Sequence, residues 1–299
     1  YPEHMVVGTL AGASTLGLLI PPSIIMIVYG VAADVSISQL FIAGVLPGLL
    51  LASLFSGYIM VWALRHPGQV PAADARMTLA QKLSASKSLI PVVLLISAVL
   101  GSIYTGVATA TEAAAVGVVG SLVLSALQGS LGWDTFRGAL MGATRLYCMI
   151  ALILAGAAFL TLSMGYIGLP RHLAEWIASL GLSRAQLIVA LAIFYIILGC
   201  FLDGISMVVL TMGVLMPTVQ AAGIDAVWFG IFVVLVVEMA QITPPVGFNL
   251  FVLQGMTERQ LPWIARVTLP MFLLMCGAVT LIYVFPGIVT WLPQQMAAR

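Results

Sequence analysis

Charged side chains are scarce in this sequence. Of its 299 residues, 7% are Asp, Glu, Lys or Arg, whereas a soluble domain carries about 25%. Eleven Lys and Arg stand against ten Asp and Glu, so no basic surface exists to neutralise the phosphates of a nucleic acid. The composition therefore excludes an ordinary soluble domain and an electrostatic nucleic-acid binder.

Cysteine and histidine are equally rare, with three of each. Cys148, Cys200 and Cys276 lie far apart in apolar runs, without partners at disulfide or zinc spacing, and we expect them to be small core residues. The histidines are scattered too, which argues against a metal centre or a Cys–His nucleophile pair. Paired carboxylates for acid–base chemistry are also missing, so the sequence predicts a protein that is not an enzyme.

Hydrophobic residues dominate instead, at 62% of the chain. With roughly 20 apolar residues per membrane crossing, the length allows about eight to ten spans. Gly or Pro interrupts most of the long apolar stretches. The sequence therefore predicts an all-α, multi-pass membrane protein.

One extended polar segment, residues 65–87, separates these stretches. It holds Arg65, Arg76, Lys82 and Lys87 against the single acid Asp74. By the positive-inside rule this loop is expected in the cytoplasm, and a solvated linker is compatible with that placement. A second polar patch, residues 171–184, has the composition of an interfacial helix or short loop.

The chain begins Tyr1-Pro2-Glu3-His4, without an initiator Met or a signal-peptide pattern. From this we expect the C-terminal part of a longer protein.

An internal repeat is visible in the prolines. Ile20-Pro21-Pro22 recurs 223 residues later as Thr243-Pro244-Pro245, and the same offset maps Leu46-Pro47 onto Leu269-Pro270. Both copies lie in interrupted hydrophobic segments. Paired broken helices in corresponding halves of a membrane protein indicate the binding site of a secondary transporter.

The first break lies between Gly8 and Ile24. Its glycines give the backbone freedom, while Pro21 and Pro22 lack amide donors and so free carbonyls that a helix would otherwise use. These carbonyls, with the hydroxyls of Ser14, Thr15 and Ser23, are hard oxygen ligands suited to a sodium ion. The alternative is a proline kink whose hydroxyls bond back to the preceding turn.

The second break lies between Glu238 and Val252. Gln241, Thr243 and Asn249 surround the two prolines and Gly247, again placing neutral oxygens on irregular backbone. Glu238 is an ionisable group in an apolar run, which by default is a functional-site hypothesis. It either coordinates a ligand directly, anchors the helix end, or pairs with an Arg.

A third feature is the segment between Gly101 and Gly120. Thr109 or Thr111 is expected to cap an Ala-rich helix, with Glu112 in its first turn. The N-terminus of that helix would then attract a carboxylate. The pattern is typical of a re-entrant hairpin tip, although an ordinary loop before a well-capped helix has the same composition.

Two further charges fall within apolar segments. Asp203 lies either near a cation pathway or at a helix start, whereas Arg145 is interpreted as an interfacial residue whose guanidinium reaches the membrane surface.

Four motifs carry a resemblance to a known family. They are GASTLGLLIPPSIIMIVYGV (12–31), FIAGVLPGLLL (41–51), GVATATEAAAVGVV (106–119) and ITPPVGFNLFVL (242–253). In this order they resemble the large, DctM-like membrane subunit of tripartite ATP-independent periplasmic (TRAP) transporters. The resemblance extends from the first residues to about Pro293.

The resemblance implies a sodium-driven transporter of the elevator type in the bacterial inner membrane. Two inverted repeats would each supply a re-entrant hairpin and a broken helix that hold sodium ions and the substrate, with no organic cofactor. The implied partners are a small four-helix membrane subunit of the DctQ type and a periplasmic solute-binding protein of the DctP type.

The resemblance also assigns residues. The sodium- and substrate-binding candidates are Gly12, Ser14, Thr15, Gly17, Pro21, Pro22, Thr109, Thr111, Glu112, Ala240, Thr243, Pro244, Gly247 and Asn249. A sodium site is expected on Thr109, Thr111, Ala240 and Thr243. The hairpin tip has Thr109-Ala110-Thr111 where the family often has Thr-Pro-Thr, and Ala240-Gln241 stands where Gly is common.

The repeat offset places the equivalent of Thr109 ahead of residue 1, so we expect the first hairpin to lie outside this chain. The expected organisation is therefore the remainder of repeat one (1–64), a cytoplasmic loop (65–87), repeat two (88–293) and a tail (294–299).

The predicted function is sodium-coupled uptake of an organic acid anion, such as a C4-dicarboxylate. A membrane-embedded enzyme and an ion channel are the alternatives from other classes. An enzyme would turn over without an ion gradient, and a channel would need a ring-forming filter rather than duplicated broken helices. The sequence does not specify which carboxylate is carried.

Overall fold

The computed structural model describes residues 1–71, 78, 81–82, 84, 86–245 and 247–297. The chain forms two compact units: residues 1–69 with 152–299, called the repeat unit below, and residues 70–151, called the hairpin unit. Helices make up most of the described residues, and none of these residues forms a strand. The prediction of an all-α protein is confirmed.

The repeat unit begins with a broken helix and a long straight one. Helix α1 spans Glu3–Leu19, α2 spans Ile24–Ala33 and α3 spans Ile37–Arg65. The axes of α1 and α2 differ by 45°. Since Pro21 and Pro22 offer no N–H groups, α1 ends before them, and Ser23 starts α2 by accepting a hydrogen bond from the Met26 amide at 3.4 Å.

The same three-helix pattern returns near the end of the chain. In chain order, the intervening helices are α4 (Ile90–Tyr104), α5 (Ala110–Leu127), α6 (Trp133–Ile167), α7 (Leu169–Ser179), α8 (Arg184–Leu198) and α9 (Gly204–Ala221). They are followed by α10 (Ala226–Gln241), α11 (Phe248–Thr257), α12 (Leu261–Val284) and α13 (Gly287–Ala297). Helices α10, α11 and α12 begin 223, 224 and 224 residues after α1, α2 and α3. The repeat offset found from the prolines therefore also relates the starts of these helices to within one residue.

The two copies run in opposite directions. The Glu3 carboxylate at the start of α1 pairs with the Arg259 guanidinium just before α12, with a shortest nitrogen–oxygen distance of 2.6 Å. The ring centroids of Tyr1 and of Trp62, near the end of α3, are 6.0 Å apart. The start of α12 therefore lies at the same end of the repeat unit as the end of its equivalent, α3. This antiparallel relation is that of an inverted repeat.

Helix α10 is the centre of the repeat unit. Its sequence is apolar on every face, which is typical of a buried helix, and all residues from Trp228 to Ala240 are buried. It packs against α1, α2, α3, α8, α9, α11, α12 and α13. The core of the repeat unit therefore lies where equivalent helices of the two repeats meet.

Close contact between α1 and α12 depends on small residues. A Cβ atom at Gly8 would collide with the carbonyl oxygen of Val267, and one at Gly12 would lie 2.9 Å from the Met271 side chain. Glycine at these positions therefore lets the backbone of α1 pack directly against Val267 and Met271 of α12.

The interfacial segment predicted at residues 171–184 is partly helical. Helix α7 is amphipathic, and the exposed pair Arg171–Glu175 joins successive turns at 2.8 Å. The turn that follows it ends at Ser183, whose side chain caps α8.

The hairpin unit contains α4, α5 and the first part of α6. Helices α4 and α5 pack against each other and are joined by a short turn in which Gly106 has a positive φ of 72°. Helix α6 continues from this unit into the repeat unit.

The number of long apolar helices is smaller than the eight to ten spans expected. Five described helices are long and apolar enough to cross a membrane, namely α3, α5, α6, α9 and α12, and the bent pair α1–α2 makes up to six. Helices α4, α8 and α10 are apolar but shorter. The apolar stretch that begins near residue 185 is divided between α8 and α9, which lowers the number of long helices.

The polar loop is described in part. Short 3₁₀ helices occupy Pro67–Gln69 and Ser86–Leu89, and Lys82 and Lys87 are exposed. Asp74 and Arg76 lie outside the described residues. At the other end, α13 continues to Ala297 and so covers much of the expected tail; residues 298–299 lie outside the described part.

Candidate functional site

The first break leaves two carbonyls without their helical partners. Pro21 cannot donate to the carbonyl of Gly17, and Pro22 cannot donate to that of Leu18. The Ser23 hydroxyl donates to the Leu18 carbonyl and satisfies it. Of these two, the carbonyl of Gly17, an exposed residue, is therefore the one that remains available to a ligand.

The second break frees the equivalent carbonyl. Pro244 cannot donate to the carbonyl of Ala240, which instead accepts the Thr243 amide at 3.2 Å in a tight turn. The Thr243 hydroxyl donates to the Met239 carbonyl at 2.6 Å. Thr243 and Pro244 also line a cavity of about 100 Å³ together with Thr268 of α12.

Gly17 and Ala240 occupy the same position in the two repeats, 223 residues apart. Each carbonyl loses its helical donor to a proline four residues later. A carbonyl oxygen keeps a second lone pair even when it accepts one hydrogen bond. Neutral oxygens of this kind, with a nearby hydroxyl such as that of Thr243, fit a sodium ion.

A hydrogen bond joins the two breaks directly. The Asn249 amide donates from Nδ2 to the Ser14 hydroxyl oxygen at 3.2 Å, and that hydroxyl donates to the Ala11 carbonyl at 2.9 Å. Asn249 belongs to the second break and Ser14 to the helix before the first. Two predicted site residues that lie 235 positions apart are thus brought together.

Three other predicted site residues lie in packed positions. Gly12 is buried against Met271, and a Cβ at Gly247 would collide with the carbonyl oxygens of Gln241 and Thr243. The Thr15 hydroxyl is fully buried and donates to the Gly12 carbonyl at 2.9 Å. This is the back-bonding that the proline-kink interpretation expects.

The hairpin tip has the predicted cap. The Thr109 hydroxyl accepts the Glu112 amide at 3.3 Å, while a Glu112 carboxylate oxygen accepts the Thr109 amide at 2.8 Å. This reciprocal pair is a capping box, so Thr109 rather than Thr111 caps α5. Because Glu112 accepts a hydrogen bond at the helix start, its carboxylate occupies part of the position predicted to attract an anion.

Thr109, Thr111 and Glu112 are all exposed in the hairpin unit, whereas Ala240 and Thr243 belong to the repeat unit. A sodium site that combines Thr109 and Thr111 with Ala240 and Thr243 stays a prediction.

The remaining candidates are Asp203, Arg145 and the three cysteines. Asp203 caps α9, and its carboxylate accepts the amides of Ile205 at 3.0 Å and Ser206 at 3.2 Å, which matches the helix-start alternative. Arg145 is exposed on α6. Cys200 is buried and Cys276 partly buried, but Cys148 is exposed, contrary to the expectation of a core residue.

Comparison with known proteins decides the family. Residues 1–288 match the model of the family described as "Tripartite ATP-independent periplasmic transporter, DctM component". The chain belongs to the DctM family. The resemblance expected from the four motifs is confirmed, and the chain is a multi-pass membrane protein of this family.

Named relatives of this DctM chain differ in their cargo. It is 32% identical over 99% of its length to the C4-dicarboxylate TRAP transporter large permease protein of Pseudomonas aeruginosa, of which it covers 69%. It is 34% identical over 98% of its length to the ectoine/5-hydroxyectoine TRAP transporter large permease protein of Ruegeria pomeroyi, covering 68%. These relatives are named as permease subunits of transporters and not as enzymes.

One equivalence was missed by reasoning from the sequence. Thr15 and Glu238 are 223 positions apart, so they occupy equivalent places in the two repeats of this DctM chain, and both are fully buried. Neither carboxyl oxygen of Glu238 has a hydrogen-bond partner among the described residues. Applying the repeat offset to every polar residue of the breaks, rather than to the prolines alone, would have found the pair.

Proposed function

We propose that this DctM chain carries out sodium-coupled uptake of an organic acid anion. The observation that carries the proposal is the pair of broken helices, α1–α2 and α10–α11, in inverted repeats. The prolines remove the helical donors of the equivalent carbonyls of Gly17 and Ala240. In secondary transporters such breaks supply the ion and substrate ligands near the middle of the membrane.

The sodium ion would bind to neutral oxygens. Ala240 and Thr243 supply a carbonyl and a hydroxyl at the second break, and Thr109 and Thr111 supply hydroxyls at the hairpin tip. The bound cation would offset the charge of an incoming carboxylate, for which the positive N-termini of half-helices add further attraction. The scarcity of charged side chains supports this arrangement, because it leaves the cation to balance the anion.

Carboxylate cargo is supported by the relatives. The Pseudomonas aeruginosa relative is named for C4-dicarboxylates and the Ruegeria pomeroyi relative for ectoine, and both compounds bear a carboxylate. We propose that a rigid transport domain carries the site across the bacterial inner membrane in an elevator motion. A small membrane subunit and a periplasmic solute-binding protein would complete the system and deliver the anion.

The sodium site is tested by Thr243→Val. Loss of one oxygen ligand should raise the sodium concentration for half-maximal uptake by about tenfold, equivalent to ~1.4 kcal/mol, with little loss of membrane insertion. Uptake is measured in proteoliposomes that hold the full-length protein and its native partners.

Two controls isolate the ligand role of Thr243. Thr243→Ser keeps the hydroxyl and should keep the sodium dependence. Thr257→Val removes the same kind of hydroxyl-to-carbonyl bond, at 2.6 Å to Leu253, away from the proline break and should not change it. An unaltered sodium dependence in Thr243→Val would contradict the proposed site.

The cargo is tested separately. Thermal-shift screening of carboxylates against the cognate periplasmic binding protein identifies the ligand, and sodium-dependent uptake of that ligand in proteoliposomes then confirms it. Uptake that is unaffected by removal of the sodium gradient would overturn the proposed coupling.

A further inference from the structure

A partly open cavity lies between α1, α3 and α12, at the end of the repeat unit where α1 begins. Its volume is about 230 Å³, and His4 of α1, Tyr58 of α3 and Arg266 of α12 bring hydrogen-bond donors to its lining. Most of the remaining lining is apolar and includes Val267 and Met271. The cavity therefore combines a cationic, donor-rich side with an apolar side.

The positive charge of Arg266 is not balanced within the described part of the chain. Neither of the ion pairs found there includes Arg266, and no acidic side chain among these residues lines the cavity. Glu3 is already engaged, because its two carboxylate oxygens accept from the Arg259 guanidinium at 2.8 and 2.6 Å. Glu258 lies beside Arg259 in the chain but does not line the cavity. An anion entering the cavity would therefore meet an uncompensated guanidinium.

Aromatic rings surround this end of the repeat unit. The Trp62 ring centroid lies 6.0 Å from that of Tyr1, 6.2 Å from that of His4 and 4.7 Å from that of His66. Trp and Tyr are enriched where membrane helices pass through the headgroup layer. Helix α3 continues from here into the basic loop, which the positive-inside rule assigns to the cytoplasm. We therefore expect the cavity at the level of the lipid headgroups of the cytoplasmic leaflet.

The phosphate group of an anionic phospholipid matches this set of side chains. The planar fork of Arg266 suits two phosphate oxygens at once, and the Tyr58 hydroxyl and a ring N–H of His4 can donate to the other oxygens. The apolar lining suits the glycerol backbone and the first methylenes of the acyl chains. Basic pockets between transmembrane helices on the cytoplasmic side are a recognised form of lipid headgroup site.

We propose that the cavity lined by His4, Tyr58 and Arg266 binds the phosphate group of an anionic phospholipid from the cytoplasmic leaflet. The bound lipid bridges α1 and α3 of the first repeat to α12 of the second. The site is separate from the proline breaks, and the proposal depends neither on sodium coupling nor on the identity of the cargo.

Native mass spectrometry of the assembled transporter, titrated with phosphatidylglycerol in detergent, tests the site by counting bound lipids. Arg266→Gln should weaken the binding of one phosphatidylglycerol per chain by about tenfold or more, because a charge-assisted, two-point contact is lost. Arg266→Lys keeps the charge without the fork and should weaken binding less. Tyr58→Phe keeps the ring and should weaken binding by about threefold, for one hydrogen bond.

Arg65→Gln is the matched control. Arg65 is exposed at the same end of the repeat unit but does not line the cavity, so its replacement removes the same charge and should change the affinity much less. Arg266 is exposed as well, and the melting temperatures of both variants without added lipid should match that of the unmodified protein. Equal losses of affinity in the two variants would overturn the proposal, since diffuse surface charge would then explain the binding. Unchanged binding in both Arg266→Gln and Tyr58→Phe would overturn it too.

Two further probes identify the ligand. Phosphatidylcholine carries a cation that cancels the charge of its phosphate and should bind more weakly than phosphatidylglycerol. Inorganic phosphate at millimolar concentration should leave the bound phosphatidylglycerol in place. Displacement of that lipid by inorganic phosphate would overturn the lipid assignment in favour of a soluble anion, and equal binding of the two lipids would overturn the role of charge.

Discussion

At the scale of single residues, many of the Ser and Thr hydroxyls that the structure describes donate to a carbonyl three or four residues earlier in the chain. Ser14, Thr15 and Thr243 each donate to a carbonyl three or four residues earlier. Such a bond gives the hydroxyl hydrogen an acceptor in apolar surroundings, and the hydroxyl oxygen can still accept a hydrogen bond. A hydroxyl that is bonded in this way can still be an ion ligand or a hydrogen-bond acceptor.

Thr109 is different, because its hydroxyl caps the N-terminus of helix α5. In Thr109→Ala the Glu112 amide loses its acceptor, and α5 loses half of its capping box. We expect a lower melting temperature of the assembled transporter and faster amide exchange in the first turn of α5. Hydrogen-exchange mass spectrometry measures the second effect.

Thr111→Ala is the control for this cap, since the residue lies in the same turn and is not the cap. Equal effects of the two alanine substitutions on exchange in the first turn of α5 would contradict the capping role of Thr109.

The sequence predicted these single-residue features to different extents. The cap at Thr109 and the helix-start position of Asp203 follow from local pattern, because a cap involves neighbours three residues away. The contact between Ser14 and Asn249 does not follow from local pattern. The two residues lie 235 positions apart, and only the packing of α1 against α11 brings them together.

At the scale of helices, one close approach in the repeat unit is between α1 and α12. Gly8 sits where a Cβ would collide with the Val267 backbone carbonyl, and a backbone atom cannot rotate away as a side chain can. Gly8→Ala should therefore destabilise the protein by about 1–3 kcal/mol through overpacking. Chemical or thermal denaturation of the assembled transporter measures the change.

Gly277→Ala on α12 provides the comparison. No atom lies within 4 Å of a Cβ placed there, and alanine favours a helix over glycine. We expect this variant to be as stable as the unmodified protein or slightly more stable. A Gly8→Ala variant as stable as Gly277→Ala would contradict the tight contact.

The boundaries of these helices were largely predictable. Two adjacent prolines end a helix in any context, so both breaks were fixed by the sequence. The division of the apolar stretch near residue 200 was not foreseen, because turn residues such as Gly199 and Gly204 are also frequent inside membrane helices. The shorter helices α8 and α10 explain why fewer long helices are present than hydrophobicity suggested.

At the scale of the whole molecule, the inverted repeat predicts which helix ends face the cytoplasm and which face the periplasm. The end of α3 carries the basic loop, and the equivalent end of α12 lies at the opposite end of the repeat unit. A cysteine at Gly68 should react with a membrane-impermeant maleimide only from the cytoplasm. A cysteine at Gly287 should react only from the periplasm.

Both positions are exposed, with no atom within 4 Å of an added Cβ, so the substitutions leave the fold intact. The labelling is measured in a background without the three native cysteines, in intact spheroplasts and in inverted vesicles. Labelling of both positions from one side would contradict the inverted arrangement.

The sequence alone determined the membrane as solvent, the helical class, the two proline breaks, the repeat offset and the family. Each of these depends on composition, on short local patterns, or on the recurrence of such patterns along the chain. Hydrophobic residues are buried in lipid or protein, and two adjacent prolines remove two successive helical hydrogen bonds, whatever the rest of the chain does.

The tertiary structure decided which residues meet. It brought the Asn249 amide to the Ser14 hydroxyl and buried Glu238 completely within the repeat unit. It also set the close approach of Gly8 to Val267. These contacts depend on the direction and register of packed helices, which are the outcome of many small packing interactions summed over the whole unit. No local pattern encodes that sum.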